Sequence, residues 1–204
     1  LYCSVYDDLV KSDLKNVFEI EAIKNNAGLG KNSSVLDVGS GTGHHVNLLS
    51  KTVSSVIGID KSVNMIKEAK KLYPNLDFRQ GDVMNSMIFA DNVFSHITCF
   101  YFTIYYFKNK KQFFQNCYKW LAPGGTLIIH LVDKFNFDPI VGAGDPFIKI
   151  SPQKYASKRI TNTTVAFDQF KYTSDFKIGD GDETIFEEKF KFKKSPKQMR
   201  VNQH

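Results

Sequence analysis

The chain has 204 residues, 42% hydrophobic and 24% charged, a composition that suits one globular domain with a full core and excludes a disordered or fibrous protein. No run approaches the roughly 20 apolar residues of a membrane span, and Leu1-Tyr-Cys-Ser-Val-Tyr-Asp-Asp8 lacks the basic-then-apolar order of a signal peptide. The net charge of +6 is concentrated late, with 12 Lys and Arg against 7 Asp and Glu in residues 149–204. Those charges alternate with aromatics, the pattern of a solvated face on strands, so a membrane or nucleic-acid partner is disfavoured. Cys3, Cys99 and Cys117 form a scattered, odd set without a CxxC pair. Free thiols in a reducing, cytoplasmic setting are expected from them.

Residues 1–30 carry Leu9, Val10, Leu14, Val17, Phe18 and Ile23 at mostly helical spacing, with Gly28 and Gly30 as the stop. They read as a helical cover over the core. From Val35 strand and helix alternate. The reading is a strand at Val35–Val38, a helix to Lys51, a strand at Ser55–Asp60, and a helix from Ser62 to Tyr73 stopped by Pro74. A short strand at Leu76–Arg79, a strand at Phe94–Phe100, a helix at Lys110–Leu121, the turn Pro123-Gly124-Gly125 and a strand at Thr126–Val132 follow. Repeated βαβ units imply a Rossmann-like, mostly parallel α/β sheet with helices on both faces and ligands at the carboxyl ends of the strands. This core is expected over residues 31–133.

Residues 134–204 differ. A loop rich in Asp, Pro and Gly (Asp138-Pro139, Gly142, Gly144-Asp145-Pro146, Ser151-Pro152) leads to two β-like runs, Thr163–Ile178 and Glu183–Lys193. Gly179-Asp180-Gly181-Asp182 between them predicts an antiparallel hairpin. The end, from Pro196 to His204, has no structural punctuation and reads as a cut; the chain also does not begin with Met and reads as a fragment.

Three glycines, Gly39, Gly41 and Gly43, follow the first strand in Asp37-Val-Gly-Ser-Gly-Thr-Gly43. They let the backbone bend sharply and a ligand approach it, and the turn aims helix N–H groups over the strand. A dinucleotide fingerprint would place glycine at position 44, where the chain has His44, which disfavours a nicotinamide oxidoreductase. Val56-Ile-Gly-Ile-Asp60 ends the next strand with a carboxylate suited to both hydroxyls of a ribose.

With these elements in order, the sequence resembles the class I S-adenosylmethionine-dependent methyltransferases over about Val35 to Val132. The matching stretches are Val-Leu-Asp37-Val-Gly-Ser-Gly-Thr-Gly, Ile-Gly-Ile-Asp60-Lys-Ser-Val-Asn-Met65, Arg-Gln-Gly81-Asp82-Val83, Phe94-Ser-His-Ile-Thr-Cys-Phe-Tyr and Leu121-Ala-Pro-Gly-Gly-Thr-Leu-Ile-Ile. The resemblance implies S-adenosyl-L-methionine as cofactor. Gly39 and Gly41, with Ser40 and Gly43 in the same loop, would approach its methionine arm, and Asp37 would orient the loop and help hold the amino group. Asp60 would hold the ribose, beside Lys61; Met65 would pack on adenine; Asp82 and the Val83 amide would read the adenine edge; Phe100 completes the cofactor set. Ser95 stands where many relatives carry an acidic residue. The family core usually closes with two further strands; the two late runs are either those strands or, the favoured reading, an added hairpin over the acceptor site.

Methyl transfer needs mainly alignment and exclusion of water. Phe100-Tyr-Phe-Thr-Ile-Tyr-Tyr-Phe107 lies where an acceptor would sit, and its aromatics divide between core packing and an acceptor wall, with Tyr101, Tyr105 or Tyr106 as hydrogen-bonding groups. His44 is a candidate base as well as a plain helix-start residue. His130, in the fifth strand, reads as packed more than as a base, and Asp133 as a rim or loop-cap residue. The tentative catalytic set is His44, Tyr101 and Tyr105. There is no Asn/Asp-Pro-Pro-Tyr, no Pro-Cys pair and only one acidic rim ligand, so adenine-type amino methylation, cytosine-C5 chemistry and a metal site are not expected. A small-molecule acceptor is therefore expected. The alternatives are an RNA or protein methyltransferase using the basic segment, or an inactive cofactor-binding interaction subunit.

Overall fold

The structure, a computed structural model, describes residues 2–10, 12–140, 151–179, 181, 183–195 and 198–204. The chain divides into two compact units, Lys11–Leu131 and, from its two ends, Leu1–Val10 with Val132–His204. Among the described residues no helix is long and apolar enough to cross a membrane.

The segment 1–30 is thereby split into two helices, α1 (Tyr2–Val10) and α2 (Asp13–Ala27). The break is at Ser12, whose extended backbone (φ −139°) and side chain cap α2 by accepting the Lys15 N–H. Gly28, left-handed at φ 68°, ends it. The inward face of α2 is Asn16, Ile20 and Ile23, whereas Leu14, Val17 and Phe18 are exposed, so the expected apolar stripe is rotated on this helix.

In the larger unit, β1 (Ser34–Val38), β2 (Ser55–Asp60), β3 (Asp77–Gln80), β4 (Phe94–Cys99) and β5 (Leu121–Ile129) form one sheet of order β3-β2-β1-β4-β5, parallel at every pairing. Alternation along β1 divides the core. Leu36 and Val38 face a cluster with Ile97, Cys99 and, from α5 (Lys110–Trp120), Phe113, Cys117 and Trp120. Val35 faces the opposite cluster with Ile20, Ile23, Val46, Leu49, Ile66, Ala69 and Phe78, contributed by α2, α3 (His44–Leu49), α4 (Val63–Leu72) and β3. Continuous apolar strands are what a sheet covered on both faces requires. The glycine turn expected at 123–125 falls inside β5, where the register shifts between Phe94 opposite Leu121 and His96 opposite Thr126. That strand stops at Ile129, leaving His130 just beyond it.

The smaller unit holds a four-stranded antiparallel sheet, β6 (Asn162–Ala166), β7 (Phe170–Ile178), β8 (Thr184–Phe192) and β9 (Met199–Gln203), in that order. The late runs do not join the parallel sheet, as expected, but they form more than a hairpin. Run 163–178 breaks at residues 167–169 into β6 and β7, and the segment read as unpunctuated forms β9. Inward Phe170, Tyr172, Phe190 and Phe192 pack with Val5 of α1. The buried Glu188 carboxylate ties in β9, pairing with Tyr172 Oη (2.8 Å), Asn202 Nδ2 (3.3 Å) and His204 Nε2 (2.9 Å). Residues 141–150 and Asp180 and Asp182 of the expected loop and turn lie outside the described residues.

Two left-handed glycines separate backbone strain from crowding. A Cβ on Gly28 would meet no atom within 4 Å, whereas one on Gly43 (φ 88°) would lie 2.5 Å from Phe78 Cζ. Gly28→Ala should cost about 1 kcal/mol and Gly43→Ala roughly 2–4 kcal/mol, strain plus overpacking. Urea unfolding of the two variants tests the order; equal losses would contradict it.

Candidate functional site

The sheet order reverses direction between β1 and β4, which places the crevice of an open α/β sheet above those two strands. The loop after β1 lies there. Its glycines all have left-handed φ, 69° at Gly39, 55° at Gly41 and 88° at Gly43, a conformation that costs side-chain-bearing residues energy. The loop is fastened to the end of β2. The Gly39 and Ser40 N–H groups donate to Ile59 O (2.8 and 3.0 Å), and the Gly41 N–H donates to Asp60 Oδ2 (3.0 Å). A Cβ at Gly39 would collide with the Thr103 side chain, so that position must be glycine on two grounds.

Asp60 binds the backbone with both oxygens, since Oδ1 accepts from the Ser62 N–H at 2.8 Å. Burial raises its carboxyl above the usual range, opposed by these Ser62 and Gly41 hydrogen bonds. Each oxygen keeps a further lone pair for a ligand. Ser62 also caps α4 through the Met65 N–H (3.4 Å), which fixes the buried Met65 at the start of that helix.

Asp37 lies beneath the loop, 2% exposed. The β1–β4 register sets it opposite Thr98, whose hydroxyl donates to Asp37 Oδ1 at 2.7 Å. Burial pushes this carboxyl up to about 6; the His45 charge and the Thr98 hydrogen bond oppose the rise, while Asp60 and Glu19 add to it. Asp82 is more exposed and is held below its usual range by Lys61, whose Nζ is 2.7 Å from Oδ2, and by the Met84 N–H. Val83 is buried in the core, and its carbonyl accepts from Asn116.

The expected catalytic set is not brought together. The Nδ1 of His44 faces Tyr73 Oη at 2.6 Å, and Tyr105 sits half-buried in the 3-10 turn Thr103–Tyr106, packed on the core. The neighbouring histidine, His45, is the one at the crevice. It stacks on Phe100 (4.1 Å between centroids, 19°), meets Tyr101 edge-on at 5.9 Å and pairs with Glu19 Oε2 at 2.8 Å. Glu19 also pairs with Lys15 (3.3 Å), and its Oε1 is 3.7 Å from His130 Nδ1. Asp133 is a loop cap, accepting from the Phe135 and Asn136 groups. Sequence reasoning missed Glu19, Lys15, Thr98 and Thr103. Thr98 was accessible by counting register from Asp37, and Ser62 by its capping position; the α2 residues had no local signal.

A family model described as a methyltransferase domain matches residues 35–125. The matched segment carries the glycine loop, Asp37, Asp60 and Asp82. The phosphoethanolamine N-methyltransferase of Plasmodium falciparum (isolate 3D7) is 32% identical over 108 residues, 50% of this chain and 40% of that protein. Two solved structures share the fold across 100% of this chain at 18% identity. They are the crystal structure of an S-adenosylmethionine-dependent methyltransferase from Clostridium acetobutylicum (TM-score 0.65, 78% of that chain) and the structure of S-adenosylmethionine-bound CalS10 from Micromonospora echinaspora, an amino pentose methyltransferase (0.61, 79%). The matched part of this chain spans less than half the length of the curated relatives.

The matched segment thus stores a buried carboxyl whose folded-state value, about 6, exceeds its ordinary 3.8. The sign follows directly: folding favours the protonated form, so the contribution is full below about pH 4 and lost as pH rises through about 6. Asp37→Asn, which does not ionise, should gain on the wild type over that window by up to about 3 kcal/mol and then level off. Urea unfolding of both proteins at about pH 4, 6 and 7.5 measures the difference. A pH-independent difference would show that Asp37 is not a penalised carboxylate.

Proposed function

We propose that the protein transfers a methyl group from S-adenosylmethionine to a small-molecule acceptor. The observation that carries this reading is the left-handed glycine loop, tied to the end of β2 by Asp60 and resting on buried Asp37, inside a methyltransferase domain. The local chemistry fits that ligand. Ser40 Oγ is buried without a hydrogen-bond partner, a vacancy that a polar ligand group would fill. The Asp37 carboxyl, costly when ionised and buried, gains from an ammonium such as that of the methionine arm.

When bound, the cofactor supplies a methyl group already made electrophilic by its sulfonium. The chain's own work is then to bind, align and exclude water. In this reading the unused lone pairs of Asp60 accept the ribose hydroxyls, Asp37 and Ser40 hold the amino-acid end, and Gly39, Gly41 and Gly43 allow close approach. Met65, Asp82 with Lys61, and Val83 serve the adenine, and Phe100 stands at the methionine side. The phosphoethanolamine and amino pentose enzymes are named for small acceptors, which supports an acceptor of that size here.

Calorimetry with S-adenosylmethionine, S-adenosylhomocysteine and NAD tests the reading; both sulfur nucleosides should bind, NAD should not, and the reverse preference would overturn it. Asp60→Ala should weaken S-adenosylhomocysteine binding at least about tenfold, the size of one charge-assisted hydrogen bond. It should also lower stability by roughly 1–3 kcal/mol, because the Gly41 and Ser62 N–H groups lose their acceptor. Unchanged affinity in the folded variant would contradict the ribose assignment.

A further inference from the structure

Lys15 and Glu19 lie on α2, outside the 35–125 segment of the family match, yet they meet the crevice between β1 and β4. Three strand ends contribute to the same place. His45 follows the glycine loop after β1, Tyr101 is two residues beyond β4, and His130 is one residue beyond β5. The Lys15 ammonium rests on the face of the Tyr101 ring, 3.4 Å from its centroid, and 3.3 Å from Glu19 Oε1. His45 holds the other Glu19 oxygen, and His130 flanks the first. Tyr101 has φ 52°, a left-handed backbone that a tyrosine adopts only at a cost of about 1–3 kcal/mol and that clusters at ligand sites.

An aromatic face and a carboxylate on one side of a cation form the chemistry that recognises an alkylammonium. Here the chain's own Lys15 occupies it. We propose that Tyr101 and Glu19 form the subsite for a primary ammonium acceptor, with the Lys15 side chain as a resident stand-in that the substrate displaces. This rests on the methyl-transfer reading and narrows its acceptor to an amine. Such an acceptor arrives protonated, and His130 is placed to receive the proton at Nδ1, the ring atom that lies 3.7 Å from Glu19 Oε1. Burial, helped by the Lys15 and His45 charges and opposed by Glu19, holds the ring below its usual range and therefore neutral at pH 7.

The step balances. One ammonium proton passes to His130 Nδ1, and the freed nitrogen lone pair forms the N–C bond to the methyl carbon as the C–S bond breaks. Its electron pair stays on sulfur as a neutral thioether. The product is a methylated ammonium, and His130 returns its proton to solvent.

The test needs no cofactor, so its failure is distinct from failure of the methyl-transfer reading, which the S-adenosylhomocysteine titration reports. In the full chain, Lys15→Ala empties the subsite, and Lys15→Val does so while keeping stem packing if the alanine variant fails to fold. Calorimetry with n-butylammonium chloride should show saturable binding at least tenfold tighter to the emptied variant than to wild type. Adding Glu19→Gln should abolish that gain, and 1-butanol, the neutral isostere, should not reproduce it. A folded variant that binds no butylammonium, or that binds 1-butanol equally, overturns the proposal and leaves Lys15 as a structural clamp of α2.

Discussion

The Asp60 carboxylate, at the end of β2, accepts N–H groups from Gly41, 19 positions earlier, and from Ser62, and so couples the loop after β1 to the β2–α4 junction. Without it the loop after β1 would lose an anchor and the start of α4 a partner. Hydrogen bonds of this charge-assisted kind are worth about 1.5–3 kcal/mol, and the left-handed turns they hold fall on glycines, which adopt them without steric cost. The loop can therefore stay in a conformation that presents backbone to a ligand. Gly39 and Ser40, donating to Ile59, extend the same fastening by two neutral hydrogen bonds. Asp37 adds an opposing influence from below, because its burial penalises the charged form that a cationic ligand would reward.

How legible was this in the sequence? The parallel sheet was, because strands such as Val35–Val38 and Ser55–Asp60 are short, apolar and bracketed by turn residues, and a fully buried strand has no other way to read. The glycine loop and Asp60 were equally visible, since their chemistry is local. β9 was not. Its anchor is Asn202 on the Glu188 carboxylate, a contact between strands that no pattern within residues 199–203 announces. The rotated face of α2 escaped for a related reason, as Asn16 is buried while Leu14 and Phe18 are exposed, contrary to what hydrophobicity alone selects.

The two adjacent histidines make the same point at the site. Helical geometry sends neighbours about 100° apart, so of His44 and His45 only one can look into the crevice. His44 turns to Tyr73 and His45 to Glu19 and Phe100. Proximity to the glycine loop alone does not distinguish the two. The carboxylate that decides it, Glu19, is 26 positions away from His45 in the chain.

The smaller unit is built from the two ends of the chain, with the larger unit inserted between them. On a ribosome, α1 is made before the inserted unit, yet the residues that bury Val5, among them Phe170, Tyr172 and Phe190, come some 165 or more positions later. Tyr2 likewise meets Asn202 across 200 residues. The contiguous unit has its own core and every one of its sheet partners early, so it can close while α1 waits. Folding order thus runs from the inserted unit outward, and β9, made after that unit, completes the partner surface of α1. Loop closure over such a span adds little to the entropy at equilibrium, because it grows only with the logarithm of length, but it delays folding of that unit.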